Sequence, residues 1–408
     1  MRVLVIGTNR MCHERLRDQG HELVLFVPRA RARREDATGP YAHVVILDDG
    51  AGDGLWADIA EALHRSAPFD TVAAHNEHTY PIVHAVSARL GIPSTVDLDL
   101  FHRVLDKAKM REILDKHDIP SCRHTYARGR QAVLEAVGEI GLPCIVKPVD
   151  TEASVGVSRI GTPEDIEAAL HRVGSAHIER GVLVEEFLDG RELSVEAFST
   201  GGRHRIVAVT RKFTDAETFV SRGHVVPAPL APDEHAAVTA YVTRVLDAFG
   251  FHDCPSHTEV MLTDRGPRII EMHNRIGGDA IMDLVHLSTG VDMYDLVARQ
   301  SIGEDIGALL PRETVHDRSA AAWYAAPSGP ATHTLLDVHG VEQVRDLPHV
   351  HAVTLLKEPG SPQPTVRQNF DRSGRVIAVG DSPRQAVSRA REATGMLRFV
   401  YGWSAPDV

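Results

Sequence analysis

The chain has 408 residues, too many for one compact core, and this length predicts two or three domains. At 43% hydrophobic and 25% charged residues, its composition is that of an ordinary globular protein. A formal net charge of −12 leaves no basic footprint for nucleic acid or for an anionic membrane.

In chain order, the opening run Val3–Gly7 is apolar but too short for a signal peptide, and no later stretch approaches a membrane span, which points to the cytoplasm. Strand-like runs at 3–7, 22–28, 43–48 and 71–76 are interleaved with helical stretches at about 10–19 and 53–66, and another helix follows at 79–90. This alternation predicts a parallel, doubly wound α/β domain over residues 1–96. Gly7-Thr8-Asn9 at its first turn lacks the full Gly-x-Gly-x-x-Gly pattern, so the domain reads as a scaffold whose strand ends line one wall of a cleft. From Asp97 a single helix is expected to run to the Ile119-Pro120 stop. An α+β region to residue 309 follows, with strands at 144–149, 156–160, 182–187, 192–199 and 205–213 and helices near 130–140 and 163–173. Residues 214–230, polar and then proline-rich, read as a mobile loop. A helix at 232–249, a hairpin and helices near 279–300 complete this part, and residues 310–408 form a small C-terminal α+β domain. The four cysteines, Cys12, Cys122, Cys144 and Cys254, lack Cys-x-x-Cys spacing and fit free thiols in a reducing compartment.

The hairpin at 256–278, SHTEVMLTDRGPRIIEMHNRIGG, carries the strongest chemical signal. Its turn, Asp264-Arg265-Gly266, ends in the glycine that a type I turn with a G1 bulge needs for positive φ. A three-residue loop would pair Thr263 with Pro267 and therefore Glu259 with Glu271, their Cβ atoms about 5 Å apart. Like charges so placed destabilise a sheet unless a cation lies between them. Val260, Leu262, Ile270 and Met272 would form the opposite, apolar face, and His257 and His273 would share the glutamate face. Three readings stand at this point: hard Mg²⁺ on the carboxylates, serving ATP; zinc, iron or manganese on a His₂Glu₂ set; or a solvated polar face.

Other residues add to this signal. Lys147 ends the apolar strand from Cys144, either snorkelling to solvent or meeting a bound anion. The loop Asp150–Gly156, small-residue-rich around Ser154 and Gly156, could close backbone N–H groups over phosphates. Glu185-Glu186-Phe187-Leu188-Asp189-Gly190-Arg191-Glu192 joins two strands by a short connection; it is either an acid-rich turn or a strand edge suited to adenine, with Glu192 placed for a ribose hydroxyl. Lys212 is another lone cation on an apolar strand.

Asp106-Lys107, strand-Lys147-Pro148, the small-residue loop, Glu185 to Glu192, Lys212, Glu259 and Glu271-x-x-x-Arg275-x-Gly277-Gly278 in this order resemble the ATP-grasp superfamily. Within it, the chain looks most like the carboxylate–amine ligases that join amino acids into dipeptides. The resemblance implies a pre-ATP-grasp domain at 1–96, an ATP-grasp domain at 97–309 with a lid subdomain at about 121–187, and a C-terminal domain at 310–408. It implies that Lys107 and Lys147 meet the α- and β-phosphates and Lys212 the β/γ region. Glu185, Glu186 and Leu188 would hold adenine, Glu192 the ribose, and Glu259 and Glu271 Mg²⁺, with Mn²⁺ as an alternative. Glu271-Met272-His273-Asn274-Arg275 departs from the family's Glu-x-Asn-Pro-Arg, which leaves His273 and Asn274 as rivals for a second metal.

The chemistry so implied is attack of a substrate carboxylate on the γ-phosphate, giving an acyl phosphate that an amine then captures, with ADP and phosphate released. Arg275, always charged, is the first choice to stabilise the oxyanion, and His224 the second, against a solvent-facing loop histidine. The partners are small carboxylic acids and amines, amino acids above all, and the family suggests a homodimer. Rival readings are an ATP-grasp enzyme acting on bicarbonate or formate, a silent nucleotide-binding accessory protein, and a metallohydrolase on the histidines and glutamates of the hairpin.

Overall fold

The computed structural model describes residues 1–149, 151, 155–327, 329, 333–363 and 365–403. Its first unit follows the βαβ pattern: β1 (Arg2–Ile6), α1 (Arg10–Asp18), β2 (Glu22–Pro28), β3 (Tyr41–Leu47), α2 (Asp53–Ser66), β4 (Thr71–Ala74) and α3 (Tyr80–Leu90). The sheet is parallel with strand order β3-β2-β1-β4. Helices cover both faces, so β1 and β2 are apolar without alternation and their cores are fully buried. The order reverses between β1 and β4, and there Gly7, Thr8 and Asn76 line a cleft at the strand ends.

The single helix expected after Asp97 is two, α4 (Leu98–Leu105) and α5 (Lys107–Lys116). Asp106 between them is extended, and its side chain accepts the backbone N–H groups of Ala108 and Lys109. A capping residue inside a continuous apolar period starts a new helix, which the period alone cannot reveal. The break puts Lys107 at the first helical position, buried.

The next unit comprises β5 (His124–Ala127), α6 (Arg130–Ile140), β6 (Cys144–Pro148), β7 (Ser158–Ile160), α7 (Ile166–Val173), α8 (Ser175–Arg180) and β8 (Val182–Glu186). Its antiparallel sheet, β5-β8-β6-β7, packs Val146 and Val184 on Val133, Ile140 and Leu170 of the helices.

The rest is built round one sheet. It contains β9 (Arg191–Thr200), β10 (Arg203–Thr214), β11 (Ser221–Val226), α9 (Pro232–Phe249), β12 (Pro255–Thr263), β13 (Gly266–His273), α10 (Ile281–Thr289), α11 (Met293–Ser301), β14 (Ser319–Ala325), β15 (His333–His339), α12 (Val341–Arg345), β16 (Val350–Leu355), β17 (Gly374–Gly380), α13 (Pro383–Gly395) and β18 (Arg398–Trp403). Eight antiparallel strands run in the order β13-β12-β9-β10-β11-β14-β17-β16, so the sheet continues past Leu310 into the C-terminal region. β15 and β18 form a separate pair.

The segment 214–230 is not a loop throughout. β11 lies within it, inside the sheet, and His224 on it is buried. Arg222-Gly223-His224 interrupts the apolar run and hid the strand. Gly223 is there because Trp323 crosses it; a Cβ would fall 2.3 Å from Trp323 Cε3. Of the cysteines, Cys12, Cys122 and Cys144 are buried and Cys254 partly so, all free. Among the described residues no helix is long and apolar enough to cross a membrane.

Candidate active site

The hairpin delivers its two glutamates by a different route from the one its turn suggests. Gly266 has φ 88°, as the turn requires. The pairing it sets is Thr263 with Gly266 and Leu262 with Pro267, one residue short of the expected register. A bulge between Val260 and Glu259 then absorbs the extra residue, Ile270, and restores Glu259 opposite Glu271 and His257 opposite His273. The apolar face is therefore Val260, Leu262, Ile269 and Met272. Ile270 leaves the core, lines the cavity, and its carbonyl accepts Arg111 Nη2 at 3.0 Å.

A cavity of about 1190 Å³ lies between the three units. Lys107, Lys147, Glu185, Glu186, Leu188, Glu192, Lys212, His224, Glu259, Glu271, His273 and Arg275 all line it. Gly156 does not: its φ of 74° and the approach of Pro148, whose Cγ would sit 2.9 Å from a Cβ, explain that glycine by packing. Ser154 lies outside the described residues.

At one end Lys147 donates to Glu185 at 2.7 Å, and Arg111 Nε donates to the other oxygen of Glu185 at 2.8 Å. All three side chains are buried. Burial works against the Glu185 carboxylate, but Arg111 and Lys147 outweigh it and hold its pKa far below the ordinary range. The Glu185 carboxylate thus bridges two cations, and its residue lines the cavity. Glu186 is taken by Arg265 and Arg123, at 3.0 and 3.3 Å. Past the strand end, Phe187 N–H still donates to Pro143, whereas the backbone N–H of Leu188 has no partner among the described residues. Leu188 is the position where a base edge would find a free donor.

The opposed glutamates are neutralised from two sides. Lys212 makes a short bond to Glu259 and a second, at 2.7 Å, to Glu192, which also accepts Thr214 Oγ1 at 2.5 Å. Lys107 reaches Glu271 at 3.3 Å and donates to the Thr151 carbonyl at 2.6 Å. Burial pushes Glu259 up, but Lys212 and then His257 bring it down to about 2, against repulsion from Glu271. Burial likewise opposes ionisation of Glu271, and Lys107 and His273 lower it well below the usual carboxylate range. Two ionised, half-buried carboxylates facing each other form a hard-oxygen donor set, which suits Mg²⁺ or Mn²⁺.

The histidines do not complete a softer set. His257 Nδ1 donates to Glu196 at 2.7 Å, and the opposed His273 Nδ1 to Glu77 at 3.1 Å. Burial disfavours the charged ring of His257, yet Glu196 and Glu259 lift it to about 9. His273 also rises, burial and Arg275 opposing, Glu77 and Glu271 prevailing. Among the described residues no group of three His, Cys, Asp or Glu is arranged to hold a metal. His273 stands buried between Glu77 and Glu271. Its rival Asn274 is buried outside the cavity lining.

At the far end Arg275 Nε donates to Glu77 at 2.9 Å. His224 is 1% exposed, stands edge-on to Tyr324, and has neither ring nitrogen hydrogen-bonded. Asp279 lies 3.7 Å from His224 Nε2 and accepts Arg372 Nη2 at 2.5 Å, and Arg372 lies over the Tyr324 ring at 3.9 Å. Burial keeps His224 below its usual value despite Asp279. Asp279 and Ala280 have φ of 54° and 66°, uncommon for residues with a Cβ and tolerated at sites the surroundings over-determine. Glu77, Arg111, Asp279 and Arg372 were not foreseen. Glu77 stands among histidines in His75-Asn76-Glu77-His78, and Arg372 carries no local signal.

A sheet-bounded cleft with lysines on separate elements facing a two-glutamate hairpin has the layout expected of an ATP-grasp site. The ATP-grasp domain family matches residues 140–283, and the L-amino acid ligase C-terminal domain 2 family matches residues 330–402. An L-amino acid ligase structure from Bacillus licheniformis superposes with a TM-score of 0.84 at 22% identity, over 98% of this chain and 99% of that one. The uncharacterized protein y4rH of Sinorhizobium fredii is 28% identical over 81% of this chain and 69% of its own length. The alanine–anticapsin ligase of Bacillus subtilis is 24% identical over 56% of this chain and 53% of its own. The chain spans about half the length of that ligase. The chain therefore carries an ATP-grasp domain followed by an L-amino acid ligase C-terminal domain.

Proposed function

We propose that this enzyme forms an amide, in particular a dipeptide bond, from two amino acids through an acyl phosphate, releasing ADP and phosphate. The observation that carries the reading is the pair of opposed, ionised carboxylates, Glu259 and Glu271, each held by a lysine from a different element, in a cavity that continues to Arg275, His224 and Arg372.

Glu259 and Glu271 would hold Mg²⁺, with Mn²⁺ as the alternative; the bound metal supplies charge neutralisation on the phosphates. The chain's own residues do the rest. Lys107, Lys147 and Lys212 turn from their carboxylates to the phosphates, lowering the repulsion that a substrate carboxylate meets as it approaches the γ-phosphorus. The carboxylate oxygen forms a bond to phosphorus as the bond to ADP breaks. The free amine of the second substrate then attacks the acyl carbon, and the resulting oxyanion needs a fixed donor nearby. Arg275 is charged throughout and held by Glu77. His224, whose ring nitrogens have no hydrogen-bond partner among the described residues, can take part in the proton or carboxylate contacts of the amine substrate. Leu188 and Glu192 serve the base and ribose. Acyl phosphates hydrolyse readily, so the buried position of these groups also excludes water.

The test is ADP and phosphate release with ATP and Mg²⁺ over amino acids offered singly and in pairs, with Glu271→Ala as control. Turnover that needs one carboxylate and one amine and vanishes in the variant supports the reading. Turnover on bicarbonate or formate instead, or none on any acid, overturns it.

A further inference from the structure

The largest fully buried side chain among the described residues is a cation, Arg111, to which the chemistry above gives no task. It lies one turn after Lys107 on α5 and is 1% exposed. Its Nε donates to Glu185 of β8 at 2.8 Å, and its Nη2 donates to the carbonyl of Ile270 on β13 at 3.0 Å. Its Nη1 is buried without an acceptor among the described residues, so the guanidinium is placed for the two bonds it does make. One side chain thus ties together the helix that carries Lys107, the strand that leads to Leu188, and the hairpin that carries Glu271.

The acceptor on the hairpin is the informative one. Ile270 is the residue that the bulge leaves without a cross-strand partner, since Val260 pairs with Ile269 and Glu259 with Glu271. β13 is also the edge strand, so no further strand of that sheet can take the Ile270 carbonyl. An extra residue in a strand bends it and re-aims the side chain that follows. Here the residue that follows is Glu271. Because the peptide unit is planar, a donor that fixes the Ile270 carbonyl also fixes the N–H of Glu271 and the direction in which its chain leaves the bulge.

Neutralisation of Glu185 does not account for Arg111, because Lys147 already meets that carboxylate at 2.7 Å. Taking a further charge out of water is costly, and an apolar side chain would fill the same space without that cost. Only a rigid fork of separated donors reaches a carboxylate on one strand and a carbonyl on another at once.

We propose, resting on the reading that Glu259 and Glu271 hold the metal, that Arg111 is a positioning residue for the metal site. It holds the bulge at Ile270 so that Glu271 stays opposite Glu259, and it touches neither the metal nor the reacting atoms. The strand that seats the base and the strand that seats the metal are thereby fixed to one point on α5.

The experiment titrates Mn²⁺ alone into wild type, Arg111→Met, Arg111→Lys, Glu185→Gln and Glu271→Ala, following free Mn²⁺ by electron paramagnetic resonance, with a melting curve for each protein. R111M should weaken Mn²⁺ binding by about 10- to 100-fold, the usual loss for a group that orients a metal ligand. R111K has one ammonium for two acceptors and should lose affinity as well. E185Q breaks the buried ion pair but leaves an oxygen for Nε and the bond to Ile270, so it should melt lower and still bind Mn²⁺ as wild type does. An equal loss in E185Q makes Arg111 a general support and overturns the proposal; unchanged affinity in R111M and R111K shows that the bulge holds itself, and overturns it too. E271A separates this proposal from the reading beneath it. If E271A weakens Mn²⁺ and the Arg111 variants do not, the proposal falls alone; if E271A binds Mn²⁺ as wild type does, the two-glutamate site falls with it. If R111M fails to fold, R111K against E185Q decides.

Discussion

Glu185 offers the sharpest test of how the site is held together. Its carboxylate bridges Lys147 and Arg111 at 2.7 and 2.8 Å, and the three side chains are 8, 6 and 1% exposed. At an effective dielectric of about 20, each contact is worth roughly 6 kcal/mol of gross attraction. Most of that is offset by the cost of taking three charges out of water. Glu185→Gln keeps the volume but leaves two buried cations without their anion, and breaking a buried pair in this way costs about 3–5 kcal/mol. At about 2–4 °C per kcal/mol for a unit of this size, the melting temperature should fall on the order of 10 °C. Lys147 should also lose its aim, and a misplacement of about 1 Å can cost roughly 100-fold in rate. A nucleotide would give Lys147 a substitute anion, so Mg-ADP should raise the melting temperature of the variant more than that of wild type. The assay is thermal melting with and without Mg-ADP, followed by kcat/KM for ATP. A variant melting within about 2 °C of wild type would refute the view that Glu185 anchors the two cations.

Three further outcomes follow from the same geometry. Glu271→Gln should reduce metal-dependent ADP formation by about 100-fold or more, with only a small change in melting because it relieves repulsion from Glu259 while weakening the hold on Lys107; unaltered metal dependence in a titration with Mg²⁺ would count against the two-glutamate site. Stability in the metal-free protein should form a plateau: the depressed carboxylates Glu77 and Glu259, both near 2, together with Glu185, contribute above the unfolded value of about 4.3 and lose that contribution as pH falls. His257, raised to about 9, contributes fully below about 6.5 and loses it as pH rises through 9, so urea unfolding across pH should show decline on both sides. Gly223→Ala puts a Cβ 2.3 Å from Trp323 and 2.8 Å from the Ala322 carbonyl, which should cost about 1–3 kcal/mol and disturb His224 beside it, as melting and activity would record.

The hairpin shows how the right pair of opposed residues can rest on a wrong register. Two opposing acids are visible in the spacing, but the turn pairs one residue earlier than a three-residue loop suggests, and the bulge at Ile270 cancels the difference. A bulge leaves no mark on composition, since Ile269 and Ile270 are the same residue type facing different ways. The first unit was legible because its strands are unbroken apolar runs between amphipathic helices. β5, β15 and β18 were not, being short or mixed with histidine, arginine and tyrosine. The cations Lys107, Lys147, Lys212 and Arg275 could be picked out as isolated charges, but their partners could not. Arg111 meets Glu185 across 74 positions and Arg275 meets Glu77 across 198, and no local period connects such pairs.

Those pairings explain how one site can favour metal and nucleotide together. Lys107 and Lys212 cannot serve Glu271 and Glu259 and a triphosphate at once with the same protons. A phosphate that draws the lysines away would leave Glu259 and Glu271 facing each other across β12 and β13 with only His257 and His273 beside them, an arrangement that favours another cation. A metal that takes the carboxylates frees the lysines in turn. Each ligand therefore improves the site for the other, and by linkage the gain is reciprocal. Glu192 limits the exchange on one side, because it keeps its own hold on Lys212 at 2.7 Å when Glu259 turns to the metal. Lys147 stands apart: Arg111 stays on Glu185 whatever Lys147 does, so this lysine can turn to a phosphate without leaving a bare anion behind.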